Sequence, residues 1–432
     1  MNNLSVRHNK DKDRSVSFDR ADSPSSSTSS LNSTNNISIN SFKFILPIGR
    51  GGYGRVDIYQ KKTTGDYYAI KVVDISKMKE KKLSFTLKNE TFILNEINSD
   101  YVVKCYYIFK NRINFYYVME YMPGGDLYHL LSTIFLPKKT IQLIVAEVLL
   151  SLIYLHSKGI IHRDIKPENI LISKEGHFKL TDFGLSESEM KNNKYAIVYN
   201  DEISQNTDLF KEDESENGNI VGTLNYMAPE IFTNEYETTA SIDFWALGIL
   251  IFELYTFKVP FNGVDGAETR ENIINLKFDW SPFENPDIIE SYPNLNEAKD
   301  LINKFIVKNP SERWGDEQFD EIKKHPFFNG FTWETIKEMK DYSILNYLKK
   351  KVEQTNKLIR ESTKNSSKET NIIIIDNNDE NNNLYDNISG CFYCERVDNL
   401  YDKSKDVINV KIKKKELGLN EDNSVSLLED LK

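Results

Sequence analysis

Hydrophobic positions are sparse at the start of the chain and become regular after Phe42. Residues 1–41 are dominated by Ser, Asn and charged residues, and such a segment buries too little apolar surface to offset the entropy lost on ordering. We therefore predict that residues 1–41 form a disordered arm. The alternating run Phe42–Ile45 then predicts the first strand of a folded domain.

Strand-like alternation recurs after this run and is interrupted once by a helical pattern. The strand-like runs are Arg55–Gln60, Tyr67–Val73, Val102–Lys110 and Phe115–Glu120. Leu83–Ile97 instead places apolar residues at near-helical spacing, which predicts one helix within a mostly antiparallel sheet. The helical patterns that follow are Leu127–Leu131, Pro137–His156, Ser241–Thr256 and Asn296–Ile306. We predict an α+β protein with a small sheet-rich lobe (residues 42–121) and a larger helical lobe (residues 122–332).

Two later stretches are polar and show no strong periodicity. Glu187–Asn219 contains nine Asp and Glu against three Lys, and Ser362–Asn387 is rich in Asn, Asp and Ser. Both are predicted to be loops or disordered insertions. For the Asn tracts, codon bias in an AT-rich genome is the alternative to a functional reason.

The charge balance bears on possible partners. The chain has 55 Lys and Arg against 65 Asp and Glu, a formal net charge of −10. Nucleic-acid binding depends on neutralising phosphates with basic residues, so we predict no nucleic-acid partner. A membrane helix needs roughly 18 apolar residues. Ile141–His156 comes nearest but is interrupted by Gln142 and Glu147, and we predict no membrane span.

Cysteine usage and the N-terminus indicate the compartment. Three cysteines, Cys105, Cys391 and Cys394, are too few for a disulfide framework. The N-terminal region has no apolar core typical of a secretory signal. We therefore expect a cytoplasmic protein, with the nucleus as the alternative. The single C-x-x-C pair has no second pair, so packing or chance is favoured over a metal site.

The first motif with chemical meaning is glycine-rich and runs from Gly49 to Val56. Glycine lets a backbone approach phosphate groups closely, so a hairpin of this composition can fold over a polyphosphate. A dinucleotide site or an ordinary turn would fit the glycines alone. The residues after Gly54 continue as a strand, which disfavours the helix that a dinucleotide site requires.

Further motifs follow in a fixed order. Lys71 lies in a strand, where a cation is costly without a partner, and Glu90 on the next helix is the expected partner. The remaining motifs are Ile161–Asn169, Thr181–Gly184, Met227–Glu230 and Asp243–Gly248. Together these residues resemble a eukaryotic-type protein kinase over residues 42–332, and the resemblance implies the bilobal kinase fold with one regulatory helix in the small lobe.

The resemblance assigns catalytic roles at four positions. Lys71 is expected to hold the α- and β-phosphates of ATP, and Glu90 to orient Lys71. Asp164 is expected to accept the hydrogen bond of the substrate hydroxyl, and Lys166 to neutralise the transferring group. For the metal, the resemblance assigns Mg²⁺ to Asp182 and Asn169.

The resemblance also implies an ATP site beneath the sheet. Val56 and Ala69 are expected to cover the adenine ring, while the linker residues Glu120 and Met122 bind it through backbone groups behind the gatekeeper Met119. The full set assigned to the nucleotide is Ile48, Gly49, Arg50, Gly51, Gly52, Tyr53, Gly54, Arg55, Val56, Ala69, Lys71, Glu120, Met122 and Asp126.

Three other matched features are structural in the family. Glu230 and Arg313 resemble its buried ion pair, and Asp243 resembles the aspartate that anchors the catalytic loop. His162 and Phe183 resemble two members of its hydrophobic spine.

Details of the motifs resemble the serine/threonine branch and, within it, the AGC group. The Asp-x-Lys arrangement with Thr223 indicates serine/threonine substrates. Asp126, Glu168 and Glu253 occupy positions where basophilic members hold arginines upstream of the acceptor. The alternative is that Asp126 contacts only ribose and the other two are solvated. Asp182–Ser186, Glu297–Ile302, Arg313–Gly315 and His325–Phe328 carry the AGC resemblance.

Two departures concern the activation segment. Asp182 to Glu230 spans 48 positions, longer than is usual, and resembles on a small scale the Greatwall type, with an NDR-like branch as the other possibility. Asn219 replaces the usual phosphorylated threonine. Other acceptors are available (Ser204, Thr207 and Ser215), the acidic run could imitate a phosphate by pairing with Arg163, or the insert is a solvated loop.

Residues 333–432 correspond to the C-terminal tail of the AGC group. Phe392–Leu400 is a degenerate form of this group's hydrophobic motif, and its aromatic anchors could dock beside the Leu83–Ile97 helix and hold Glu90 in place. The expected partners are protein substrates with Ser or Thr and an upstream kinase or activating partner. The alternative function is a pseudokinase scaffold, which degraded motifs would favour, but Lys71, Asp164 and Asp182 are intact.

Overall fold

The small lobe is a five-stranded antiparallel sheet. In this computed structural model, residues 37–51, 54–80, 83–188, 223–233, 235–292 and 295–366 are described. The strands are β1 (Phe42–Gly51), β2 (Gly54–Lys61), β3 (Tyr67–Asp74), β4 (Cys105–Lys110) and β5 (Asn114–Glu120), in the order β1-β2-β3-β5-β4. Gly52 and Tyr53, at the tip of the glycine-rich hairpin, lie outside the described residues.

The two faces of this sheet are buried in different ways. The inner face carries aliphatic side chains, including Ile48, Ile58 and Ala69. The outer face carries an aromatic cluster around Phe42 and Tyr116. Successive residues of a strand point to opposite faces, so the period-2 alternation of the sequence separates these two groups.

Two residues assigned to the N-terminal arm belong to the packed structure. Ile37 and Ile39 pack against the aromatic cluster on the outer face of the sheet, and Ile39–Ser41 forms a single 3₁₀ turn. Residues 1–36 of the predicted arm lie outside the described residues.

The small lobe has two helices among its described residues, where we predicted one. They are α1 (Ile75–Glu80) and α2 (Ser84–Glu96). Asp74 caps α1, because its Oδ1 accepts hydrogen bonds from the backbone N–H groups of Ser76 (2.9 Å) and Lys77 (3.2 Å). Ile75 and Met78 bury one side of this single-turn helix. A stretch this short and lysine-rich carries too little periodicity to be recognised.

The large lobe is mainly helical and is built around one central helix. Its helices are α3 (Leu127–Thr133), α4 (Lys138–His156), α5 (Ser241–Thr256), α6 (Gly266–Ile274), α7 (Pro286–Ser291), α8 (Leu295–Phe305) and α9 (Phe319–Lys324). Two short hairpin-like pairs accompany them: β6 (Ile160–Ile161) with β9 (Glu187–Ser188), and β7 (Ile170–Ile172) with β8 (Phe178–Leu180). Helix α5 is buried along nearly its whole length, so it is a rigid support for the segments packed on it.

Helix α4 also meets the length and composition of a membrane-crossing helix. It is the one such helix within the described ranges, and most of it is buried inside the large lobe. A core helix has the same apolar character, so its composition follows from packing.

A long final helix, α10 (Tyr342–Ser366), contacts both lobes. Near its start, Ile344 and Leu348 pack around Gly176 in the large lobe. About three turns after Leu348, Leu358 and Ile359 pack against the aliphatic inner face of the small-lobe sheet. The described part of the C-terminal tail therefore lies along the inter-lobe linker. Phe392–Leu400, with Cys391 and Cys394, lies outside the described residues, and its docking beside α2 stays a prediction.

Gly124, in the linker between the lobes, should not tolerate a side chain. A Cβ atom there would lie 2.5 Å from Cβ of Ile172 and 2.8 Å from Cδ2 of Leu348. We expect Gly124→Ala to lower the free energy of unfolding by about 1–3 kcal/mol, as other overpacked sites do. Urea unfolding measures this. Gly266→Ala is the control, because its nearest neighbour would be 3.4 Å away. Equal stabilities of the two variants would contradict the close packing of α10 on the linker.

Candidate active site

A lysine held between two carboxylates joins the two lobes. Nζ of Lys71, on β3, lies 2.6 Å from Oε1 of Glu90 on α2 and 3.1 Å from Oδ1 of Asp182. Asp182 follows β8 in the large lobe and adopts a positive φ of 64°. The predicted Lys71–Glu90 ion pair is therefore present, and Asp182 completes it.

The charges of these three groups support one another. Burial opposes the charged form of Lys71, but Asp182 and Glu90 outweigh it and raise the pKa of the lysine. The lysine charge in turn lowers the pKa of Asp182, so this carboxylate is ionised at neutral pH. Burial raises the pKa of Glu90, against the opposing effect of Lys71. The pocket thus presents a cation beside a carboxylate that is half exposed.

A second cluster surrounds Asp164. Nζ of Lys166 lies 2.8 Å from Oδ2 of Asp164 and donates to Oγ1 of Thr223 at 2.8 Å. The Thr223 hydroxyl donates to Oδ1 of Asp164 at 3.2 Å. Thr223, which we assigned to the substrate site, is therefore bonded to both predicted catalytic residues. The arrangement holds one carboxylate and one ammonium group at fixed positions.

The residues assigned to Mg²⁺ have the chemistry that this cation prefers. Nδ2 of Asn169 donates to the backbone oxygen (2.8 Å) and Oδ2 (2.7 Å) of Asp164, and these two bonds do not use the side-chain oxygen Oδ1 of Asn169, the atom that could act as a metal ligand. The backbone oxygen of Asn169 accepts from the N–H of Thr181, next to Asp182. Mg²⁺ takes one or two protein oxygens plus phosphate oxygens and water. One amide and one ionised carboxylate fit this requirement. Among the described residues there is no cluster of three or more His, Cys, Asp or Glu side chains that could hold a metal unaided.

The loop that carries Asp164 is anchored to helix α5. Asp243, on α5, accepts hydrogen bonds from the backbone N–H groups of His162 and Arg163, each at 2.8 Å. Arg163 has a φ of 70°, a conformation that costs about 1–3 kcal/mol and persists only under such constraints. The rings of His162 and Phe183 meet edge to face at 5.3 Å. The expected anchor and spine contacts are both present.

His156 lies behind the same anchor and was not singled out from the sequence. Its Nε2 lies 2.9 Å from Oδ2 of Asp243, and its Nδ1 lies 3.0 Å from the carboxylate oxygens of Asp316. Burial alone would lower its pKa, but hydrogen bonds with the two aspartates outweigh burial and raise the pKa to about 9. His156 is therefore protonated at neutral pH and bridges the carboxylates of Asp243 and Asp316.

The roof of the nucleotide pocket has little spare space. A Cβ atom at Gly54 would lie 2.1 Å from the backbone oxygen of Val72, so glycine is required where the start of β2 pairs with the end of β3. Ile48, Val56 and Ala69 form the aliphatic underside. Arg55, assigned to the nucleotide, lies with its Nε 2.8 Å from Oδ2 of the buried Asp57. Of the remaining assigned residues, Gly49, Arg50 and Gly51 are in β1.

The linker below the roof is fixed by ion pairing. Nζ of Lys179 lies 2.7 Å from Oε1 and 2.9 Å from Oε2 of Glu120, which follows the buried Met119. Met122 is buried and its backbone oxygen accepts a hydrogen bond from Gly125. The side chain of Glu120 is thus used structurally.

The three carboxylates assigned to substrate arginines differ in their surroundings. Asp126 caps α3 by accepting from the backbone N–H of His129 at 2.8 Å, and the ring Nδ1 of His129 lies 2.8 Å from both carboxylate oxygens of this buried side chain. Glu253 is buried on α5 and accepts from the hydroxyl of Tyr226. Glu168 is half-buried in the 3₁₀ turn Pro167–Asn169, which directly follows Lys166. Asp126 and Glu253 therefore carry internal structural bonds as well.

The expected buried ion pair between Arg313 and Glu230 is present in the large lobe. Nη1 and Nη2 of Arg313 lie 2.7 and 3.0 Å from the two carboxylate oxygens of Glu230, and both side chains are fully buried. Removing either side chain would leave the other as an uncompensated buried charge. This pair is therefore a structural support of the site.

Comparisons with known proteins agree with this geometry. The family description "Protein kinase domain" matches residues 42–328. The probable serine/threonine protein kinase IREH1 of Arabidopsis thaliana is 37% identical over 326 residues, covering 72% of this chain and 24% of that protein. Human ribosomal protein S6 kinase alpha-2 is 34% identical, covering 69% of this chain and 37% of its own length.

A third relative is covered more fully. The serine/threonine-protein kinase sax-1 of Caenorhabditis briggsae is 36% identical over 318 residues, with 70% of this chain and 66% of that protein covered. By contrast, this chain spans only about a quarter to a third of the Arabidopsis relatives. The similarity therefore concerns the two-lobed domain.

The raised pKa of His156 predicts a stability that depends on pH. The folded-state pKa of about 9 lies above the ordinary 6.5, so the stabilisation is fully present below pH 6.5 and is lost as the pH rises through about 9. Relative to His156→Gln, the wild type should lose roughly 3 kcal/mol over this range, which urea unfolding at several pH values measures. Asp316→Asn should shrink the loss. Parallel pH curves for wild type and His156→Gln would contradict the protonated network.

Proposed function

We propose that this chain, which belongs to the protein kinase family and to its AGC group of serine/threonine kinases, transfers the γ-phosphate of ATP to Ser and Thr hydroxyls of protein substrates. The observation that carries the proposal is the position of Lys71 between Glu90 and Asp182, next to the cluster of Asp164, Lys166 and Thr223. Phosphoryl transfer depends mainly on positioning and charge neutralisation, and these residues supply both.

Each residue has a defined task in this mechanism. Lys71 binds the α- and β-phosphates and is held in position by Glu90. Asp164 accepts the hydrogen bond of the substrate hydroxyl and aims it at the γ-phosphorus. Lys166 neutralises charge on the transferring group, and the Thr223 hydroxyl keeps Lys166 and Asp164 together.

ATP is the proposed nucleotide and Mg²⁺ the proposed metal. Asp182 and Asn169 would hold the metal, which supplies charge neutralisation between the phosphates when it is bound. The underside formed by Ile48, Val56 and Ala69 would cover the adenine, and backbone groups of Glu120 and Met122 would bind its edge. Gly54 lets β2 lie close to the backbone of Val72, in the part of the roof that is proposed to cover the phosphates.

Substrates with arginine upstream of the acceptor are the proposed class. Asp126 and Glu168 come from adjoining elements, since Asp126 also pairs with Leu171 just after the 3₁₀ turn of Glu168. A carboxylate has about four acceptor sites, so the bonds of Asp126 with the backbone and the ring of His129 still leave capacity for a guanidinium group. Glu253 would act together with Tyr226.

Two further proposals concern the location of the protein, which is cytoplasmic or nuclear, and its branch within the group, which is Greatwall-like or NDR-like.

Asp164→Ala should remove catalysis and spare nucleotide binding. General acid–base residues contribute about 10²- to 10⁴-fold to rates, and we expect kcat to fall by this factor. Transfer of radiolabelled phosphate from ATP–Mg²⁺ to a degenerate peptide library measures it. ATP affinity by calorimetry should stay within about threefold. A variant that keeps most of its transfer rate would overturn the role of Asp164, and a wild type that binds ATP without any transfer would indicate a pseudokinase scaffold.

Glu168→Gln should weaken the preference for arginine while leaving catalysis intact. A charge-assisted hydrogen bond contributes about 1.5–3 kcal/mol, so the kcat/KM ratio between peptides with upstream arginine and alanine should fall about tenfold. Glu175→Gln is the matched control, since Glu175 is an exposed residue that pairs with Lys174 at 3.6 Å. An unchanged ratio in Glu168→Gln would remove this residue from the substrate site.

A further inference from the structure

The residues directly after the Asp182–Gly184 motif are bonded to two parts of the site at once. Oε2 of Glu187 lies 2.9 Å from Nη1 of Arg163, the residue before Asp164. On the other side, Nδ2 of Asn89 donates to the backbone oxygen of Ser186 at 2.6 Å. The hydroxyl of Ser188 donates to Oδ1 of Asn89, also at 2.6 Å. Ser186–Ser188 thus connects the catalytic loop with helix α2.

The contact with Arg163 stabilises a strained part of the catalytic loop. Arg163 has a φ of 70°, and its backbone N–H donates to Asp243. Its guanidinium group is about a quarter exposed, so it needs a nearby negative charge. Glu187 provides that charge from β9, which pairs with β6 immediately before the loop, with Ile161 opposite Glu187. The conformation of Arg163 sets the position of Asp164, the next residue.

The contact with Asn89 acts on the opposite lobe. Asn89 is buried and directly precedes Glu90 on α2, so a shift of α2 away from the large lobe would break both of its hydrogen bonds. Glu90 holds Lys71 at 2.6 Å. The bonds of Asn89 to Ser186 and Ser188 therefore favour the position of α2 in which the Lys71–Glu90 pair is closed.

We propose that Glu187 and Asn89 are positioning residues that hold the catalytic loop and α2 in their working arrangement without a phosphorylated residue in the activation segment. The carboxylate of Glu187 supplies to Arg163 a negative charge that belongs to the chain itself. Asn219, at the position usually occupied by a phosphorylated threonine, is consistent with this assignment. The proposal rests on the proposed kinase activity and specifies how the site is held ready.

The test begins with the full chain carrying Ser204→Ala, Thr207→Ala and Ser215→Ala, which removes every Ser and Thr between residues 189 and 222. After phosphatase treatment and an intact-mass check, its kcat on an arginine-containing peptide should stay within about twofold of wild type. Adding Glu187→Gln should lower kcat about tenfold and change the KM for ATP less than twofold, because Arg163 lies beside the phosphate acceptor and away from adenine. Glu187→Asp should restore part of the loss.

Asn89→Asp, which removes the bond to Ser186, should instead raise the KM for ATP, because it loosens the position of Glu90 and therefore of Lys71.

Glu175→Gln is the charge-matched control and should leave kcat unchanged. The melting temperature of every variant is measured, so that a fall in kcat without a fall in stability separates positioning from folding. An unchanged kcat in Glu187→Gln would overturn the proposal, and an increased kcat would overturn it and indicate that Glu187 blocks Arg163. Loss of activity in the alanine background alone would also overturn it, and this arm decides the question if Glu187→Gln fails to fold. A wild type inactive toward every peptide would instead contradict the proposed function itself.

Discussion

The ammonium group of Lys71 imposes the constraint on which the site depends. It lies on β3 in a pocket partly closed to water, where a cation without partners would cost several kcal/mol. Its two carboxylate partners come from different lobes: Glu90 from α2 and Asp182 from the segment after β8. The charge is therefore compensated only when α2 and the large lobe approach β3 together. One buried charge thus couples the position of a helix, a strand and a loop.

In the large lobe, the buried carboxylate of Asp243 holds the loop that carries Asp164. Asp243 on α5 receives two backbone N–H groups of the catalytic loop and a bond from the protonated His156. Because α5 is buried along nearly its whole length, this anchor cannot move with the loop. The positive φ angles of Arg163 and Asp182 store strain that only a rigid support can maintain. The lysine and aspartate networks meet at Ser186–Ser188, between Asn89 and Arg163.

Much of the fold follows from the sequence because period and spacing are local properties. The predicted helix Ser241–Thr256 has the same bounds as α5, and the five strands overlap the alternating runs, although β1 continues to Gly51 and β4 begins only at Cys105. The pairs Lys71–Glu90 and Glu230–Arg313 were likewise expected from motifs. What the sequence could not reveal are contacts between residues with no common motif. The bonds of Asn89 to Ser186 and of His156 to Asp316, and the path of α10 along the linker, depend on distant elements that come together only in three dimensions.

The substrate side illustrates why residue type alone does not define a role. Asp126 caps α3 and Glu253 accepts from the hydroxyl of Tyr226, so both carboxylates contribute to the fold before any substrate arrives. Each internal bond occupies part of a carboxylate with about four acceptor sites, and an arginine would use the others. The internal bond also fixes the rotamer, so less side-chain entropy is lost when a guanidinium group binds. A structural and a recognition role in one carboxylate are therefore compatible, and the first strengthens the second. Replacing Asp126 by alanine would remove both together, whereas an asparagine would keep the cap but remove the charge and one of the two oxygens that face the His129 ring.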